Sequence, residues 1–248
     1  MKVKLSTPAL ILLSGLSTCT YATEQTDFLN GNFSGQFTLA SDYVFRGESE
    51  TVDSNIPAVQ LSTTWTHQSN WYVGVLASTN KFESAPDVDS VVGPYIGQFG
   101  KIGSTDINYN VFLFHYIYPG VGKYNFTELW IKADKQLDDF NLGIELTPTL
   151  NQWFGVTGFK GINYALHSSY NITAKLKLNG SYGYQQMNGS DARGWKHHNI
   201  GLSYSHNAFT FDFRYHDTDI TTDHPTFGGS MGVKIFKSRV VIGFNYDF

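Results

Sequence analysis

Val-Val-Ile-Gly-Phe-Asn-Tyr-Asp-Phe, residues 240–248, alternates without a fault. Val240, Ile242, Phe244, Tyr246 and Phe248 fall on one face of an extended chain, and Val241, Gly243, Asn245 and Asp247 on the other. An aromatic strand left as a free edge invites aggregation. A closed barrel in a membrane removes the edge and turns the apolar row to lipid. The expectation set by this stretch is an all-β fold.

The same alternation recurs upstream. Phe209, Phe211, Phe213 and Tyr215 oppose Thr210, Asp212, Arg214 and His216. Phe140, Leu142, Ile144 and Leu146 oppose Asn141, Gly143, Glu145 and Thr147, and Ala174, Leu176 and Leu178 oppose Lys175, Lys177 and Asn179. Strands are expected near 33–46, 56–67, 71–80, 89–99, 105–118, 124–134, 139–149, 160–170, 173–185, 195–206, 209–217 and 238–248. The connections alternate, tight around 67–70, 100–103, 136–138, 171–172 and 206–208, and mostly longer elsewhere. The pattern predicts one domain: a transmembrane, antiparallel, up-and-down β-barrel of about twelve strands, with both termini on the short-turn rim. Periodicity alone leaves open which face is inside, because a soluble barrel also alternates.

Composition agrees. Aromatic residues make up 16% of the chain and charged residues 15%, yet the mean hydropathy is −0.23. Lys2 and Lys4 precede an apolar stretch over 5–16, and Thr20-Tyr21-Ala22 supplies a cleavage site, so residues 1–22 are read as a Sec signal peptide. Residues 23–32 are then a short periplasmic segment, and 33–248 the barrel. An alternative is a lipoprotein box ending at Cys19, the only cysteine. Signal cleavage removes Cys19 and both lysines, which leaves an acidic chain with no thiol. Its remaining lysines are dispersed over alternating faces, so nucleic acid is excluded as a partner.

If the apolar rows face lipid, the polar rows line a lumen. The candidates for that lining are Asp42, Arg46, Glu128, Lys132, Glu145, Lys175, Lys177, Asp212, Arg214 and Arg239. Such a lining would select solutes by charge or form an ion-paired plug. Over 105–118, Asn108 and Asn110 share a face with Phe112 and Phe114, so that strand's orientation stays open.

Four segments resemble a known family: Leu-Ala-Ser-Asp-Tyr-Val-Phe-Arg-Gly (39–47), Trp-Tyr-Val-Gly-Val-Leu-Ala-Ser (71–78), Tyr-Ile-Tyr-Pro-Gly (116–120) followed by Asn-Phe-Thr-Glu (125–128), and the stretch 195–220 with Gly-Leu-Ser-Tyr (201–204) and Tyr-His-Asp-Thr-Asp (215–219). Together they look like the TorF-type porin family of bacterial outer-membrane proteins. The resemblance implies an outer-membrane barrel with a presumed pore, and no catalytic or ligand residues. The segment 221–237 departs from the pattern, and extension above the membrane or entry into the pore both stay open. The terminal row Val240, Ile242, Phe244, Tyr246 and Phe248 resembles the signal read by the barrel-assembly machinery.

Chemical sites are sparse. His197 and His198 point to opposite faces and do not share a metal. Asp217, Asp219 and Asp223 lack the spacing of a calcium loop. A barrel lipase or protease is the alternative enzyme reading, with His115 and a neighbouring serine as its nearest residues; an adhesive or structural barrel is a third. The favoured expectation is a channel for small hydrophilic solutes in outer-membrane lipid, with no cofactor and no nucleophile.

Overall fold

The computed structural model describes residues 30–51, 56–81, 87–189, 192–221, 223–227 and 233–248. The expected signal peptide and most of the 23–32 segment lie outside the described residues. Each strand follows from the alternation above. β1 (Gly31–Ala40) is followed by a small hairpin, β2 (Val44–Phe45) and β3 (Glu48–Ser49). Then come β4 (Ala58–His67), β5 (Trp71–Thr79), β6 (Ser90–Lys101), β7 (Ile107–Tyr116), β8 (Phe126–Leu137) and β9 (Phe140–Pro148). β10 (Lys160–Asn171), β11 (Leu176–Asn188), β12 (Trp195–His206), β13 (Phe209–Thr218) and β14 (Arg239–Asp247) complete the chain.

Twelve of these strands form one closed antiparallel barrel in sequential order, and β2 and β3 pair only with each other. The seam joins β1 to β14, with Gln36 opposite Asp247 and Ala40 opposite Gly243. Beyond the last paired residue, Gly35 and Phe248 exchange backbone hydrogen bonds of 2.8 and 3.0 Å. The final strand therefore has no free edge. Among the described residues no helix is long and apolar enough to cross a membrane.

Parity sorts the side chains as the alternation requires. Ile144, Leu166, Phe211, Phe213, Ile242 and Ile200 are all more than half exposed and lie on the outer surface. Trp71, Phe140 and Phe209 each open a strand just after a tight turn, and Tyr170, Tyr204 and Tyr246 lie near strand ends on that same rim. They make an aromatic girdle of the kind that sits at a membrane interface. The tight turns pivot on Asn70, Asp138 and Asn207, all at positive φ, which short polar side chains tolerate. The longer connections lie on the opposite rim.

The first strand is shorter than the sequence suggests. It stops at Ala40, and the chain turns inward as the β2–β3 hairpin, closed by Arg46 (φ 50°) and Gly47 (φ 88°). Two consecutive left-handed residues make the two-residue turn whose twist matches a hairpin. Gly47 is required twice over: by its φ, and because a Cβ there would sit 2.7 Å from Thr218 Cβ on the barrel wall. Asp42 and Arg46 thus reach the lumen from a folded-in hairpin and not from a membrane-crossing strand.

The open question at β7 is resolved inward. Phe112 and Phe114 are buried with Asn108 and Asn110 on the inner row, while Leu113 is exposed outside. Of the 221–237 segment, the described residues form short turns at Pro225–Phe227 and Val233–Phe236, neither of which extends a flanking strand. Ile235 and Phe236 are buried, and the second turn lies beside β3.

Candidate functional site

The lumen has two unlike walls. Along β5 to β8 the inner rows carry Tyr72, Tyr95, Phe112, Phe114, Tyr116 and Trp130, all buried. Phe112 stacks on Trp130 with centroids 5.5 Å apart, and Tyr95 stacks on Phe114 at 6.0 Å. Such contacts add about 0.5–1.5 kcal/mol each beyond their burial. Bulk this large fits because the same rows hold glycines: a Cβ at Gly93 would lie 1.8 Å from the Phe114 ring. Rings fill most of this arc of four strands, and only β8 also turns charged side chains, Glu128 and Lys132, inward to ion pairs.

From β9 round to β1 the inner rows are polar and paired. Glu145 meets Lys132 at 3.2 Å and His167 at 3.3 Å, and accepts hydrogen bonds from Asn163 Nδ2 (3.1 Å) and Thr147 (3.2 Å). His197 Nε2 lies 2.8 Å from Asn163 Oδ1. Arg214 is bound to Asp212 and Asn199 at 2.8 Å each and also to Asn179. Arg239 pairs with Asp42, whose carboxylate also accepts from Ser49 (2.6 Å) and Thr51 (2.7 Å). The pairs satisfy the charges that the barrel removes from bulk water.

The hairpin joins the two walls. The Arg46 guanidinium forms a fork to Glu128, with Nη1 to Oε1 at 2.8 Å and Nη2 to Oε2 at 3.0 Å, and Nη1 also donates to Gln185 Oε1 at 3.0 Å. The Tyr116 hydroxyl donates to Glu128 Oε2 (3.2 Å), and Trp195 Nε1 donates to the Arg46 carbonyl (3.0 Å). Arg46 also lies over the rings of Phe45 and Trp130, at 4.6 and 5.5 Å. A bidentate pair whose carboxylate also accepts from a hydroxyl is the geometry in which a buried ion pair best offsets its desolvation. The hairpin is seated across the lumen by one arginine.

Its rear flank is acidic. Glu48 and Glu50 are both buried, and Asn80 Nδ2 donates to Glu50 at 2.8 Å. Burial, and then the charge of Asp42, push the Glu50 carboxyl up to about 8. Burial likewise raises Glu48 well above the ordinary carboxylate range, with Glu50 adding to it. Beside the hairpin, toward the polar wall, lies a cavity of about 150 Å³ lined by Arg46, Trp130, Lys132, Glu145, Asn163 and His197 among others.

The sequence candidates fall out unevenly. Asp42, Arg46, Glu128, Lys132, Glu145, Asp212, Arg214 and Arg239 all lie in the ion-paired interior just described. Lys177 sits half-buried on the inner row of β11. Lys175 is a correction: β11 begins only at Leu176, so Lys175 is an exposed turn residue with Nζ 3.4 Å from His206 Nδ1, and it does not line the lumen. A turn residue has no strand parity to aim it. The hydroxyl beside His115 is also not a serine's. His115 Nδ1 lies 2.9 Å from Thr127 Oγ1, on the outward row of Leu113. Trp130, Asn163 and Gln185 carry no site signal of their own in the sequence, and His197 enters there only as half of a rejected metal pair. Trp130 was recoverable, since it stands between Glu128 and Lys132 on one row.

A closed, sequentially wound twelve-strand barrel with an apolar outside and an ion-paired inside defines the class: a transmembrane β-barrel. The chain belongs to the family described as bacterial protein of unknown function (Gcw_chp), whose model matches residues 25–248. No curated protein matches it. Among solved structures it is similar to the KdgM porin in complex with disordered oligogalacturonate (TM-score 0.58, 10% identity, 87% of this chain and 99% of that one). It is also similar to the NanC porin (TM-score 0.57, 11% identity, 87% and 99%). The outer membrane phospholipase A from Escherichia coli follows (TM-score 0.52, 11% identity, 91% and 94%). At these identities the likeness is one of fold, and the fold is shared by porins and an enzyme alike.

Proposed function

We propose that the protein is a porin-like channel of the bacterial outer membrane, through which small hydrophilic solutes or ions diffuse passively. The observation that carries this reading is the segregation of charge around a closed barrel: the ion-paired residues lie inside, beside an aromatic arc, and lipid-compatible rows lie outside. A charge on the lipid face costs about 2–4 kcal/mol at the bilayer midplane, so the sorting is strongly constrained. A water-filled path has no such constraint against charge, and its paired residues set selectivity. The porin fold of KdgM and NanC supports the same reading.

On this account residues 1–22 direct export, a short segment from 23 lies in the periplasm, and the barrel begins at Gly31, two residues earlier than the alternation suggests. The row ending at Phe248 serves the assembly machinery. The β2–β3 hairpin forms the narrowest point of the path, and solutes pass along the polar wall because the aromatic wall leaves no room.

Liposome swelling with purified, refolded protein tests this. Swelling with glycerol and arabinose, falling away for a disaccharide such as sucrose, is expected. Folded protein that supports neither swelling nor ionic current at any salt concentration would overturn the channel and leave a plugged structural barrel.

A further inference from the structure

The cavity beside the hairpin is chemically lopsided. Arg46 Nε and Trp130 Nε1 are both buried and have no hydrogen-bond partner, although every other nitrogen of the Arg46 fork is engaged. Both residues are almost wholly buried and both line the cavity. Lys132 Nζ stands 4.8 Å from the same indole ring, so three N–H-bearing groups surround one small space. Buried donors are rarely left without an acceptor, and each unmatched one is costly.

Arg46 Nε and Trp130 Nε1 are donors only, while the third unmatched atom on the lining, His167 Nε2, is already turned to Glu145 at 3.3 Å. A carboxamide would bring N–H donors of its own that need acceptors, whereas a carboxylate brings acceptors only. The Arg46 and Lys132 charges favour an anion, but Glu128 and Glu145 already offset them, so binding must be weak. Weak binding is what a conducting path requires, since a solute has to leave as well as enter. In volume the cavity matches one that holds a six-carbon ring in a protein core.

We propose that this cavity is a transit site for a small organic carboxylate of about six to nine non-hydrogen atoms, held by the N–H donors of Arg46 and Trp130. The inference rests on the channel reading for its purpose, and binding tests it separately. Ligand-detected NMR on the refolded full chain in detergent micelles uses lactate as the probe and lactamide as its uncharged counterpart. Lactate is expected to bind with a millimolar Kd, and lactamide about tenfold more weakly. Trp130→Phe, which keeps the ring and removes Nε1–H, should weaken lactate about tenfold. Arg46→Lys, which keeps the charge and removes Nε, should do the same and serves if Trp130→Phe does not fold.

Equal binding of lactate and lactamide, no lactate binding by folded protein, or folded Trp130→Phe or Arg46→Lys with undiminished affinity would each overturn the site. Wild-type protein that conducts but ignores lactate sinks this site alone. Protein that binds lactate but passes no current sinks the channel alone.

Discussion

The wall from β5 to β8 and the wall from β9 round to β1 are built by the same alternation, yet they fill the interior in opposite ways. On the first, aromatic rings stack over glycines and take up most of the space. On the second, each carboxylate holds a cation or amide at a fixed distance, and a cavity remains. The comparison shows that a polar row is not by itself a pore lining. What opens or closes a barrel of this width is which arc carries the bulk, and here an inward hairpin spans the difference.

The largest expected effect breaks the aromatic wall. Gly93→Val drives two extra methyl groups into the Phe114 ring, where even a Cβ would sit 1.8 Å away. Overpacking of this kind costs about 1–3 kcal/mol or more. Loss of the heat-modifiable folded band on gels, restored at least partly by adding Phe114→Leu, is the predicted outcome. A stable single mutant would mean that the stack has slack and the wall is not solid.

How far the sequence foretold this contrast depends on what each residue's signal was. The strands of β9, β11, β13 and β14 were legible because unbroken alternation writes both face and register. The even strand number followed from the rhythm of tight and long connections. The inner aromatics of β7 were not legible: Phe112 and Phe114 look like lipid-facing residues, and only the glycines across from them, distant in sequence, show that they turn inward. The hairpin was hidden for a similar reason, because Tyr43-Val44-Phe45 continues the apolar pattern of β1 and only Ser41-Asp42 and Gly47 mark the turns. Lys175 continues the parity of β11 in sequence but lies one residue before the strand begins, where alternation no longer aims a side chain. The Arg46–Glu128 pair was invisible as a pair, since the partners lie 82 positions apart and on different elements.

The smaller effect is a pH dependence that sharpens the role of the hairpin. Glu50 has its carboxyl pushed up to about 8 when seated, against 4.5 when released. A raised carboxyl favours the seated hairpin fully below about pH 4.5, progressively less as pH rises, and not at all above about 8. Mean conductance in planar bilayers should therefore rise between pH 5 and pH 8 and then level off. Glu50→Gln should make the profile shallower, and Glu48→Gln added to it should flatten it. A wild-type profile that is already flat would remove Glu50 from any part in seating.

The most direct measurement is the single-channel conductance of Arg46→Ala beside the wild-type chain. Removing the guanidinium leaves Glu128 buried without its partner, a loss of about 3–5 kcal/mol to the seated hairpin. The account predicts a conductance several times that of the wild type, with swelling extended to sucrose. Folded Arg46→Ala protein with unchanged conductance and size limit would contradict the claim that the hairpin sets the narrowest point of the path.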